Sequence, residues 1–95
     1  LSAPVSAHAR GEVDVAFVDA NHTYEATCRY FEELSKRVHA KSVVVVDDIY
    51  YNKEMERAWK WICARPEVTS TMDLYKMGMV FFDPNYLRKN YRLRM

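Results

Sequence analysis

Val43 to Val46 form an unbroken run of four valines, and Asp47 and Asp48 follow it directly. β-Branched side chains favour extended backbone. A run with no polar alternation suits a strand covered on both faces, the habit of parallel sheets flanked by helices. A second β-rich stretch, "VDVAFVDA" over Val13–Ala20, also closes on an acid, Asp19. Between the two strands, Asn21 or Thr23 is placed to cap a helix. Tyr24, Cys28, Phe31, Leu34 and Val38 then recur at helical spacing along one face. Strand, helix and strand in this order predict a parallel pair joined by a helical crossover.

The rest of the chain extends that unit. Asn52 caps a second predicted helix with the stripe Met55, Ala58, Trp59 and Ile62, and Pro66 follows its end. Val68–Tyr75 and Met77–Asp83 read as two strands joined near Lys76–Gly78. The expected fold class is therefore α/β, with a core over 13–83, a linker over 1–12 and a basic tail over 84–95. The tail, "NYLRKNYRLRM", interleaves tyrosines with bases, which RNA-binding segments also do. A solvated terminal segment is the expectation, because the remainder is balanced in charge.

Composition narrows the function classes. With 14 Lys and Arg against 13 Asp and Glu, no large field points to nucleic acid or a membrane surface. No stretch is apolar for long enough to span a bilayer. The opening residues lack the basic start and apolar middle of a signal peptide and an initiator Met, so a processed or truncated chain is expected. Cys28 and Cys63 fall on apolar helix sides and read as reduced core residues, which suits a cytoplasmic location. Trp59 reads as core; Trp61 lies off the stripe.

The acids carry the chemistry. Ligands in open parallel sheets bind outside the carboxyl ends of the strands. Parallel neighbours would bring Asp19, Asp47 and Asp48 to the same end. Three converging carboxylates repel, and a divalent cation such as Mg²⁺ or Ca²⁺ would relieve them. The other reading makes them helix caps and solvated acids. Tyr50, Tyr51 and Asn52 follow at once and either line an acceptor pocket or cover the sheet end.

"VDVAFVDANHTYEATCRYFEELSKRV" and "KSVVVVDDIYYNKEMERAWKWI" together resemble the C-terminal half of class I S-adenosylmethionine-dependent O-methyltransferases. The likeness covers roughly Val13 to Asp83 and is to the branch of catechol-type and macrolide-sugar enzymes. In that branch one strand ends in Asp-x-x-Lys or Asp-x-x-His, and the next in a pair such as Asp-Asp. The resemblance implies that Asp19, Asp47 and Asp48 hold Mg²⁺ or another divalent cation, and that His22 is the base. Without it, His22 reads equally as a helix-start residue making a local hydrogen bond. The implied reaction is metal-assisted methylation of a small hydroxylated substrate, with S-adenosylmethionine as cofactor. The implied sheet is a Rossmann-like half with strands 4-5-7-6, the last one antiparallel, and two helices.

The chain departs from that family in one large respect. The family's cofactor site rests on a glycine-rich turn, and this chain has only Gly11 and Gly78. It should therefore be inactive alone, with the Val13–Ala20 edge unpaired and one sheet face bare. Self-association is the expected consequence. A receiver-like Mg²⁺-binding signalling module, with Asp47 and Asp48 as its metal pair and Asp83 as acceptor, is the alternative, as is a fragment that only associates.

Overall fold

The structure, a computed structural model, describes residues 5–7, 13–19, 22–85 and 89–92. Its elements are β1 (Val5–Ala7), β2 (Val13–Val18), α1 (Tyr24–Ser35), β3 (Val38–Asp47), α2 (Lys53–Cys63), β4 (Ser70–Asp73), β5 (Met77–Phe81) and β6 (Lys89–Arg92). They make one mixed α/β sheet in the order β1-β2-β3-β5-β4-β6. β2 and β3 run parallel, with Val15, Ala16, Phe17 and Val18 opposite Val43, Val44, Val45 and Val46. β5 lies antiparallel between β3 and β4. The strand pattern expected over 13–83 is therefore formed, with the last strand of the hairpin in the middle.

Two segments expected to be unstructured are strands. Val5–Ala7, in the expected linker, pairs antiparallel with β2 and covers the edge that was predicted to stand open. Lys89–Arg92, in the expected solvated tail, adds to β4 in parallel. Both satisfy backbone groups that an open edge would leave to water.

Each helix has an identifiable start. The Thr23 hydroxyl accepts from the Ala26 N–H at 3.2 Å, so Thr23 rather than Asn21 caps α1. Asn52 Oδ1 accepts from the Met55 N–H at 2.8 Å and caps α2. Glu54 in the first turn of α2 accepts the Tyr24 N–H, so one helix start satisfies an orphan donor of the other. α1 ends at Ser35, and Val38 begins β3 instead of closing the helix stripe.

Both helices lie on one sheet face. Ala16, Val18, Val44, Val46 and Val80 meet Phe31, Leu34, Met55, Trp59 and Ile62 in a single buried cluster. Trp61 belongs to this packing: its ring meets Phe31 edge-on at 6.3 Å, with Arg65 over its face. Gly78 stands inside β5, not at the turn, because a Cβ there would lie 2.2 Å from the Trp59 ring. The hairpin turns instead at Leu74–Lys76, where Tyr75 takes a φ of 73°. The other sheet face carries Val15 and Phe17, which are exposed, and Val43 and Val45, which are half-buried. Among the described residues, helices cover the valine strand on one face only, contrary to the expectation from its unbroken run.

Candidate functional site

The parallel register of Val18 with Val46 brings the carboxyl ends of β2 and β3 to one side of the sheet. Two residues there leave the extended path. His22 has φ 62° and Asp48 has φ 58°, both left-handed. Asp and His tolerate that region better than most residues, and such conformers persist where the surroundings hold them. Asp48 is held by its N–H to the Lys76 carbonyl at 2.7 Å and by its own carbonyl, which accepts from the Tyr51 N–H at 3.0 Å. Ile49, fully buried, pins the next position. His22 is held by its carbonyl, which accepts from Asn52 Nδ2 at 3.1 Å. Asn52 thus caps α2 with one end of its amide and fixes His22 with the other.

These constraints place His22 Nε2 2.9 Å from Asp48 Oδ2, across 26 residues of sequence. Tyr51 stacks on the imidazole, with ring centroids 4.0 Å apart and planes 18° from parallel. The pair is half-exposed, so solvent screens it and its worth lies in orientation, not stability. No described residue bonds Nδ1 of His22, which leaves that nitrogen open as an acceptor. A second pair, His39 Nε2 and Asp14 Oδ1 at 2.9 Å, ties the opposite end of β2 and β3. There Nδ1 is occupied by the Lys41 N–H at 3.1 Å, which makes His39 a fixed structural group.

The expected three-carboxylate cluster does not form. Asp48 turns its carboxylate to His22, while Asp47 Oδ1 accepts the Asp48 N–H at 3.0 Å and Asp47 stays exposed. Asp19 is exposed at the end of β2. Among the described residues no group of three or more His, Cys, Asp and Glu side chains is placed to hold a metal ion. A divalent cation is therefore not supported here, and no step is derived through one. The receiver-like alternative meets a separate obstacle. Asp47 pairs with Met77 at the start of β5, whereas Asp83 follows its far end.

Tyr50 turns away from its two neighbours. Its hydroxyl donates to Asp73 Oδ2, with Arg92 Nε 3.5 Å from the same oxygen and the Tyr75 N–H on Oδ1. Tyr50, Asp73 and Arg92 line a cleft of about 850 Å³ between α2 and the β4–β6 edge. Asp73 and Arg92 escaped sequence reasoning: Asp73 reads as a lone strand acid, and only the pairing of β6 with β4 brings Arg92 to it. Burial, then the Asp73 carboxylate, raises the Tyr50 phenol above its ordinary value near 10. Because the folded state favours the neutral phenol, its stabilisation is complete below that value and is lost as pH rises through the folded one. Thermal unfolding followed from neutral to strongly alkaline pH should fall above pH about 10, and less steeply in Tyr50→Phe. Equal slopes would mean that the phenol does not contribute.

The mixed α/β sheet with two helices is compatible with a fragment of a Rossmann-like domain, and the histidine–carboxylate pair lies at the carboxyl ends of its parallel strands, the side on which such sheets bind ligands. The family described as "Methyltransferase domain" matches residues 2–49, just over half of the chain. The chain belongs to this methyltransferase family. The match runs from β1 to Ile49 and so includes both His22 and Asp48. No curated protein and no solved structure matches. No helix among the described residues is long and apolar enough to cross a membrane.

Proposed function

We propose that this chain supplies the acceptor side of an S-adenosylmethionine-dependent O-methyltransferase, with His22 as general base and Asp48 as the group that orients it. The observation that carries this reading is the 2.9 Å contact between His22 Nε2 and Asp48 Oδ2 at the carboxyl ends of β2 and β3. The carboxylate holds the Nε2 proton, so Nδ1 presents its lone pair. A hydroxyl of a small acceptor placed there gives its proton to Nδ1 as its oxygen becomes nucleophilic. The resulting imidazolium is stabilised by Asp48. Tyr51 keeps the ring from turning by stacking on it, and Asn52 fixes the backbone beneath.

The described residues do not fit the cofactor. No glycine-rich turn follows either parallel strand, and the space beside Gly78 is filled by Trp59. We accordingly assign binding of S-adenosylmethionine largely to elements outside this chain, as in the C-terminal half of the O-methyltransferases it resembles. Calorimetry should find no tight binding of S-adenosylmethionine to this chain alone, while the intact enzyme methylates a hydroxylated acceptor. Micromolar binding to the isolated chain would overturn the assignment of the cofactor site. Transfer confined to nitrogen or carbon acceptors would overturn the oxygen chemistry.

A further inference from the structure

One row of residues crosses the sheet at the carboxyl ends of its parallel strands. Val18 pairs with Val46, Val46 with Gly78, Gly78 with Asp73, and Asp73 with Arg92. Val18 and Val46 are buried, as the helix-covered face requires. Asp73 is only 6 % exposed, although it is ionisable. Burying a carboxylate costs free energy unless donors surround it, and an apolar side chain of similar size would pack there without that cost. Packing alone does not account for this acid.

Its two oxygens reach the loop that carries Asp48 by separate routes. Oδ2 accepts the hydroxyl of Tyr50, which lies between Asp48 and the Tyr51 ring stacked on His22. Oδ1 accepts the Tyr75 N–H at 2.9 Å. Tyr75, at a φ of 73°, is the centre of a three-residue turn closed by the Lys76 N–H on the Leu74 carbonyl at 2.9 Å. Such a turn is rare and strained, and it persists where its surroundings fix it. The Lys76 carbonyl at its end accepts the Asp48 N–H at 2.7 Å. Asp47 Oδ1 shares that N–H at 3.0 Å, but Asp47 is exposed. Asp48 is thus braced on one side through the turn and on the other through Tyr50. Arg92 supplies the counter-charge from β6, with Nε 3.5 Å from Oδ2 and Nη2 3.5 Å from the Tyr50 hydroxyl.

We propose that Asp73 is a positioning residue for the His22–Asp48 pair: it fixes the loop from which Asp48 orients the imidazole, and β6 supports it through Arg92. The effect on catalysis rests on the reading of His22 as general base; the effect on the imidazole itself does not. Without the brace, Asp48 can leave its left-handed conformation and the Nε2 contact is lost with it. The ring then samples both tautomers, and Nδ1 no longer presents a fixed lone pair. A displacement of about 1 Å at a reacting group can cost about 10²-fold in rate.

Nitrogen NMR of the purified chain, at a pH where the rings are neutral, tests the proposal. In the wild type His22 should carry its proton on Nε2 alone. Tyr50→Phe and, independently, Asp73→Asn should give His22 a mixture of tautomers. His39, tied to Asp14 at the other end of the strands, should keep its signals and so show that the variants fold. Arg92→Ala should act in the same direction but more weakly, because that side chain is 65 % exposed. In the intact methyltransferase, Tyr50→Phe and Asp73→Asn should lower kcat about 10- to 100-fold and leave cofactor affinity unchanged. A His22 spectrum unmoved by both variants would overturn the positioning role, whatever the activity. Mixed tautomers in the variants together with full activity in His22→Ala would uphold the positioning role and overturn the general base instead.

Discussion

His22→Ala in the intact methyltransferase should lower kcat by about 10²–10⁴-fold, the usual contribution of a positioned general base. Affinity for S-adenosylmethionine should change little, because the cofactor is assigned to other elements. Asp48→Asn keeps the shape of the contact but removes the carboxylate. It should lower kcat as well, by leaving the imidazole without a fixed tautomer and its cation without a counter-charge. The double variant should be no worse than His22→Ala, since the two groups act as one unit. His39→Ala is the internal control. That histidine makes a similar contact, to Asp14, but at the other end of the strands and with Nδ1 occupied. Its loss should reduce stability and leave methyl transfer by the folded protein intact. Steady-state kinetics at saturating cofactor, with added imidazole as a rescue agent, separates these cases. Recovery of His22→Ala by imidazole is expected. Full activity in His22→Ala would reduce the pair to a structural link between β2 and the loop after β3.

Phe31→Ala should cost about 3–5 kcal/mol, a large part of the 5–15 kcal/mol that holds a domain of this kind together. Phe31 is fully buried at the centre of α1. Its ring meets Trp61 edge-on and Phe82 in a stack, each at 6.3 Å, and so joins both helices to the end of the hairpin. Truncation removes the apolar transfer energy and leaves a cavity that the stiff indole cannot fill. Phe31→Leu keeps most of the volume and should cost less, about 1–2 kcal/mol. Urea unfolding midpoints at constant slope measure both. A loss under about 1 kcal/mol for Phe31→Ala would show that α1 is held chiefly by its caps and not by this cluster.

Period and punctuation determined the two helices and the four central strands by themselves. The valine run, the β-rich stretch over Val13–Ala20 and the stripe of Met55, Ala58, Trp59 and Ile62 each belong to one element, so local sequence suffices. Asn52 was legible as a cap, and Thr23 as one of two candidates with Asn21, for the same reason: a cap bonds to backbone two or three residues away. The methyltransferase likeness also lay in the sequence, in strand ends that carry Asp19, His22, Asp47 and Asp48. What each acid does there was decided only by tertiary structure. Left-handed backbone at His22 and Asp48 swings the Asp48 carboxylate onto an imidazole 26 positions away, and the expected metal cluster is not formed. Tyr50 follows Asp48 by only two positions, yet its hydroxyl goes to Asp73 because β4 lies beyond β5 in the sheet. Edge pairing was equally hidden. Val5–Ala7 and Lys89–Arg92 have weak strand signals, and it is the unpaired backbone of β2 and β4 that draws them into the ladder. Local propensity selects a segment's preferred shape, but a hydrogen-bonding edge or a distant partner is a property of the assembled fold.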